Sequence, residues 1–174
     1  GDFKKLGSHY DQLRGYDDYN LGFGGTASTG TGPLGGVDSA LDGSHDTSGR
    51  YMYVEGTGVK DDRVCVVRTP GINFSTTMSD TSLNLNLKFW LHQYSSNNSG
   101  HNLYIYIDDA STSTLADATL LSTITDFSAY NANSANWTQQ TISLNSYRTV
   151  DATHYIYFVA DGATSFRCDI AIDN

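Results

Sequence analysis

The carboxylates come first, because they bound the chemistry of this chain. It carries eighteen Asp and a single Glu, Glu55. Glycoside hydrolysis usually places two carboxylates across a cleft, one of them an acid of raised pKa. One Glu leaves that work to an Asp pair, and the sequence reads as non-catalytic. The histidines (His9, His45, His92, His101 and His154) are scattered, without an HxH or HExxH spacing. No Gly-x-Ser-x-Gly elbow is present. The Gly-rich stretch 22–36 does not follow a strand and open a helix at phosphate-loop spacing. Asp17-Asp18, Asp61-Asp62 and Asp108-Asp109 are adjacent pairs, and Asp38, Asp42 and Asp46 form a denser stretch. Hard oxygen ligands on loops suit calcium, but the EF-hand spacing is missing. Each pair alone reads as a solvated turn.

Rings supply a second candidate. Trp90, Tyr104, Tyr106 and Trp137, with Asp and Asn as hydroxyl partners, are the candidate ligand-binding platform. Tyr104 and Tyr106 suit packing between sheets equally well. Cys65 and Cys168 stand 103 positions apart with no CxxC. A structural disulfide is favoured over two buried thiols. It would close a loop of about 100 residues, worth at most about 4–5 kcal/mol in the chain-entropy model. Asn73-Phe74-Ser75, Asn97-Asn98-Ser99 and Asn136-Trp137-Thr138 are N-glycosylation acceptors if the source is eukaryotic.

Strands must position these groups. Asp favours turns and caps, whereas Glu and Lys fill helix faces, and only four Lys occur. Residues 1–49 are Gly-punctuated and loop-rich. Short strands are expected at 50–55 and 63–68. In 83–92, Leu83, Leu85, Leu87, Phe89 and Leu91 alternate with Asn84, Asn86, Lys88, Trp90 and His92. That period of two predicts a strand with one dry face. Residues 103–107, 137–144, 154–160 and 166–173 alternate likewise, and 119–125 reads as a weak strand or a helical turn. About eight strands joined by turn chemistry predict one antiparallel β-sandwich over residues 1–174.

A net charge of -9 repels phosphate backbones, so nucleic acid is excluded as a partner. No apolar run approaches the ~20 residues of a membrane span. A chain that opens on Gly1 reads as a processed product or an excised piece.

Several segments, in order, resemble the MAM domain, a jelly-roll adhesion module. Asp2-Phe3, Asp17-Asp18-Tyr19-Asn20-Leu21 and Thr31-Gly32-Pro33 are similar to its opening motifs. Gly49-Arg50-Tyr51-Met52-Tyr53-Val54-Glu55 resembles its Gly-x-Tyr-Met-Tyr-Val-Glu signature. Leu87-Lys88-Phe89-Trp90-Leu91-His92 and Asp169-Ile170-Ala171-Ile172-Asp173-Asn174 follow in the family's order. The family's first two cysteines are missing, which likens the chain to bacterial or viral members. The end inside the last motif suggests that further residues or a partner segment complete the edge.

The resemblance implies a jelly-roll (concanavalin-like) sandwich, extracellular or secreted, on a cell or virion surface. It implies a non-catalytic recognition role, toward another protein or copies of itself. A jelly-roll carbohydrate-binding module is the alternative. It also implies a structural Ca2+ held by one loop Asp among Asp38, Asp42 and Asp46, together with Asp173. Lys4 stands where the family's Glu ligand would be.

Overall fold

A computed structural model describes residues 4–5, 21–24, 36–37, 45–46, 51–54, 65–75, 82–95, 102–109, 117–125, 137–148, 150–160 and 168–173. Side chains are described from residue 66 onward within these segments, except at 94, 95, 168 and 169. The strands are β1 (Lys4–Lys5), β2 (Leu21–Gly24), β3 (Gly36–Val37), β4 (His45–Asp46) and β5 (Tyr51–Val54). They continue with β6 (Cys65–Arg68), β7 (Ile72–Asn73), β8 (Asn86–Ser95), β9 (Leu103–Asp108) and β10 (Thr119–Ile124). The last are β11 (Thr138–Ser143), β12 (Thr153–Ala160) and β13 (Cys168–Asp173).

One sheet has the order β1-β6-β12-β9-β10, with β7 also on β12; the other is β11-β8-β13-β5-β2. Every pairing is antiparallel. The eight main strands β5, β6 and β8–β13, renumbered one to eight along the chain, read 1-8-3-6 in one sheet and 2-7-4-5 in the other. That order is the jelly roll, two interlocked Greek keys. The expected all-β antiparallel sandwich is therefore the fold.

Alternation decides which residues enter the core. In β9, Leu103, Ile105 and Ile107 are buried, while Tyr104, Tyr106 and Asp108 are half-buried on the other face. Val67, Ile156, Phe158 and Ala160 join them from the six-stranded sheet. Phe89, Leu91, Ile170 and Ile172 face them from the five-stranded sheet. Phe89 and Phe158 meet edge to face at 5.2 Å and 89°. Such contacts add to area burial because a ring's positive edge meets a negative face.

Two details differ from the sequence expectation, and two further segments are specified more closely. The strand expected at 83–92 starts at Asn86 and continues to Ser95. Leu83, expected in the core, is 55% exposed. The reason is Asn145, in a 3-10 turn after β11, whose Oδ1 accepts the Leu85 N–H at 2.7 Å and Arg148 Nη2 at 2.8 Å. Arg148 also donates to the Leu83 carbonyl, so the chain is held off the sheet there. Within residues 1–49, expected as loop-rich, the described residues contribute β1 and β2 at the sheet ends and the β3–β4 pair. The ambiguous stretch 119–125 is strand β10, because β9 pairs with it.

The cysteine side chains lie outside the described residues, but their backbones are placed. Cys65 pairs with Ala160 and Cys168 with Ser95, in opposite sheets. Residues 161–167 connect β12 to β13, so Ala160 and Cys168 mark the same end of the sandwich. We therefore expect a Cys65–Cys168 bridge in protein folded under oxidising conditions. Non-reducing peptide mapping should recover the two peptides linked, and a count of two free thiols would refute it. Phe89→Ala should lower the unfolding free energy by about 3–5 kcal/mol in denaturant titrations, since it empties a buried ring site.

Candidate functional site

With the core sealed, recognition falls to the outward faces and the edges. On the five-stranded sheet, β8, β13 and β5 are neighbours. These strands carry the segments at 87–92, 169–173 and 51–54. Register places Trp90 between Gln139 and Asp173, and His92 opposite Ala171. Lys88 lies opposite Thr141. Trp90 and Asp173 are half-buried, and Lys88, Gln139, Thr141 and Ser143 are exposed. Trp137 meets His92 edge-on at 5.7 Å. Both are sunk into the surface, Trp137 at 8% and His92 at 2% exposure. A ring so deeply covered offers little face for a ligand.

Tyr104 and Tyr106 lie on the outward face of the other sheet. Their rings are 6.4 Å apart and tilted by 38°. Asn102 Nδ2 donates to the Tyr104 hydroxyl at 3.2 Å. Tyr106 is opposite Tyr157, and Tyr104 opposite Val159. Val66, Tyr157 and Val159 are buried although they point away from the main core, and Tyr104, Tyr106 and Tyr155 pack around them. Arg68, also buried, lies 4.5 Å above the Tyr155 ring, a cation–π contact. The four candidate rings are thus divided, two on each sheet. The structure brings Trp90 and Trp137 to one face and Tyr104 and Tyr106 to the opposite one.

The flank holding β10 and β11 was not picked out from the sequence. Among the described residues each strand ends its sheet, and the two follow one another in strand order. Neither contains a charged residue or a proline. Leu120 on β10 is 49% exposed. Edge strands are usually blunted by Lys, Pro or a bulge. β10 has a register shift between Leu120 and Ser122, whereas β11 keeps regular register with β8 throughout. The available sequence signal was two strand-length runs without a charge.

Of the metal candidates, Asp173 closes β13, and Asp46 lies in β4 with its side chain outside the described residues. Asp38 and Asp42 also lie outside them. Among the described residues, no three metal-ligating side chains converge. Among them, too, no helix is long and apolar enough to cross a membrane.

At the opposite end of β12, the acceptor Asn73 sits in a small network. Its Nδ2 donates to Asp151 at 2.9 Å, and its Oδ1 accepts the Ser75 N–H at 3.0 Å and hydroxyl at 2.9 Å. Ser75 Oγ also lies 3.1 Å from Asp151. The amide that a glycan would modify is therefore already engaged. The bonds from Asn73 and then Ser75 hold the Asp151 carboxyl below its ordinary 3.8, against a smaller upward pull from desolvation.

No protein-family model matches the chain, and no curated protein matches it either. Solved structures do. The K1 cleaved adhesin domain of Lys-gingipain from Porphyromonas gingivalis W83 aligns at TM-score 0.50 and 16% identity, covering 99% of this chain and 95% of that one. The K3 cleaved adhesin domain of the same protein aligns at TM-score 0.49 and 15% identity, covering 90% of each chain. TmCBM61, solved in complex with β-1,4-galactotriose, aligns at TM-score 0.46 and 8% identity, covering 99% of this chain and 83% of that one. At 16% identity the likeness to the K1 domain speaks for a shared sandwich fold.

The lowered Asp151 pKa makes a pH prediction. A depressed folded pKa contributes stability above the unfolded value and loses it as pH falls through that value to the folded one. The melting temperature of the wild type should exceed that of Asp151→Asn at neutral pH. The gap should close below pH 3.8. An equal gap at neutral and acid pH would show that the carboxylate charge plays no part.

Proposed function

We propose that this chain is a non-catalytic, extracellular recognition module of the MAM adhesion type, and that it binds a protein partner through the β10–β11 flank. The observation that carries the contact surface is that flank: among the described residues β10 and β11 end the two sheets, and neither strand contains a charge. Among the described residues no further strand pairs beyond β10 or β11, and a sheet edge suits addition of an extended partner strand. The MAM likeness is supported by the adjacency of β5, β8 and β13, whose segments carry the family-like residues in one sheet. Carbohydrate binding is the second reading. It is favoured by Trp90, a half-buried ring set between Gln139 and Asp173.

Two screens separate these readings. A phage-displayed random peptide library panned on the immobilised protein should enrich uncharged, strand-forming peptides. Their binding should fall at least several-fold in a Leu120→Lys/Thr141→Lys variant that melts like the wild type. A glycan array should stay silent. Glycan binding that Trp90→Ala abolishes would replace the proposal with the carbohydrate reading. Enrichment of nothing on either screen would remove the flank as a contact site.

A further inference from the structure

We propose that His154 makes one end of the sandwich acid-sensitive: protonating its imidazole releases Tyr147 and the turn that carries it. His154 is the second residue of β12 and shares the core-facing parity of Ile156 and Phe158. It pairs with Ile72 of β7 and is only 3% exposed. Phe74 stacks on its ring at 5.3 Å and 25°. Tyr147, from the 3-10 turn after β11, meets it at 5.4 Å and 75°. Rings from three separate segments thus close this end, and the imidazole is the one whose charge can change near neutral pH.

The chemistry turns on Nδ1. That atom is buried, and among the described residues it has no hydrogen-bond partner. A neutral imidazole can keep its proton on the other nitrogen and leave this one bare, whereas the protonated ring carries N–H on both. The added N–H would be a buried, charged donor without an acceptor, which costs more than a neutral group left unmatched. Phe74 cannot receive it. An imidazole N–H lies in the ring plane, and that plane runs within 25° of the Phe74 ring. At 75°, Tyr147 offers at most an N–H···π contact, which is second-order.

The ionisable groups around His154 are engaged elsewhere or face away. Asp151, three residues earlier, accepts from Asn73 and Ser75. Arg148, beside Tyr147, donates to Asn145 and to the Leu83 carbonyl. On β9, Asp108 stands opposite Tyr155, on the outward parity, and accepts the Asp109 N–H at 2.7 Å. Asp109 is exposed. β7, Phe74 and Ser75 bring no ionisable side chain. Relief lies toward water. Thr153, one residue before His154, is exposed, so a charged ring has a short way to swing past the strand end. That movement breaks its contacts with Phe74 and Tyr147. The turn keeps its bonds to Leu83 and Leu85 through Arg148 and Asn145, so the release is local. The open end accepts a proton for which the closed end has no place. The closed state therefore loses ground as pH falls below an ordinary imidazole value of about 6.5.

Native-state hydrogen exchange at about pH 8 and about pH 5, on either side of that value, tests this. Protection factors, which remove the intrinsic pH dependence of exchange, are compared between the wild type and His154→Phe. That variant keeps a ring in the stack without a titrating nitrogen; His154→Gln is the second variant. In the wild type, the Tyr147 and Val150 amides, bonded within the turn at 2.9 and 3.2 Å, should lose protection on acidification. The loss should be about tenfold, the scale of an unsatisfied buried donor. The Ile105 amide, in the middle of β9, should keep its protection. Both His154 variants should protect the turn equally at the two pH values. Asp151→Asn should lose protection as the wild type does, since that carboxyl, held below 3.8, stays ionised throughout. Turn amides equally protected at both pH values in the wild type overturn the inference, whatever the variants do. So does a loss that persists in both His154 variants or that Asp151→Asn abolishes.

Discussion

The contact between Phe89 and Phe158 expresses the constraint on which the rest depends. Each sheet has one face that must leave water, and the only surface able to cover it is the matching face of the other sheet. The two rings meet across that gap from the central strands β8 and β12. Leu91, Ile105, Ile156 and Ile170, all nearly inaccessible, close the space around them. Shifting any of these strands by one residue would turn its whole apolar set outward. Register is thus specified by burial, and with it the position of every residue on the outward faces. Trp90 lies beside Gln139 and Asp173 because Phe89, Leu91 and Ile172 face the core.

The ends of the strands are held by hydrogen bonds rather than by burial. Thr69 extends the β6–β12 ladder: its N–H donates to the Ile156 carbonyl at 2.9 Å, and its Oγ1 accepts the Ile156 N–H at 3.0 Å. That second bond replaces a main-chain acceptor where the strand is about to end. Asn145 does similar work after β11, tying Leu85 to Arg148 and Asn84. Leu144 N–H adds a bond to the Leu85 carbonyl at 2.8 Å. Together these bonds anchor the C-terminal end of the edge strand β11. An edge strand pairs on one side only, so such an anchor matters more there than in the middle of a sheet.

Much of this was legible in the sequence where one face is dry and the other wet. Leu103–Asp108 alternates in type and alternates in burial, because both follow from the pleat. The same logic failed at Leu83, where apolar alternation continues beyond the strand. A side-chain bond from a residue 60 positions away decides the boundary there. Strands of two residues, such as β1, β3, β4 and β7, have no period to detect. The candidate rings were recognisable by type, but their distribution was not. Nothing local marks Trp137 and His92 as buried on an outward face, since their contact joins separate strands. Nor does local pattern show that Tyr104 and Tyr106 surround a second apolar cluster, because Val66, Tyr157 and Val159 reach it from two other strands.

The edges show how the composition and the fold meet. An acidic chain keeps copies of itself apart by long-range repulsion, which salt weakens beyond about 10 Å. Edge strands are guarded by short-range devices instead: a lysine, a proline, a bulge. β10 has the bulge and also exposes Leu120. β11 has none of the three within its six residues. Lys88 lies on the next strand, and Arg148 is bonded to Asn145 just beyond the end of β11. Repulsion from the whole molecule and the guards on its edges therefore act over different ranges.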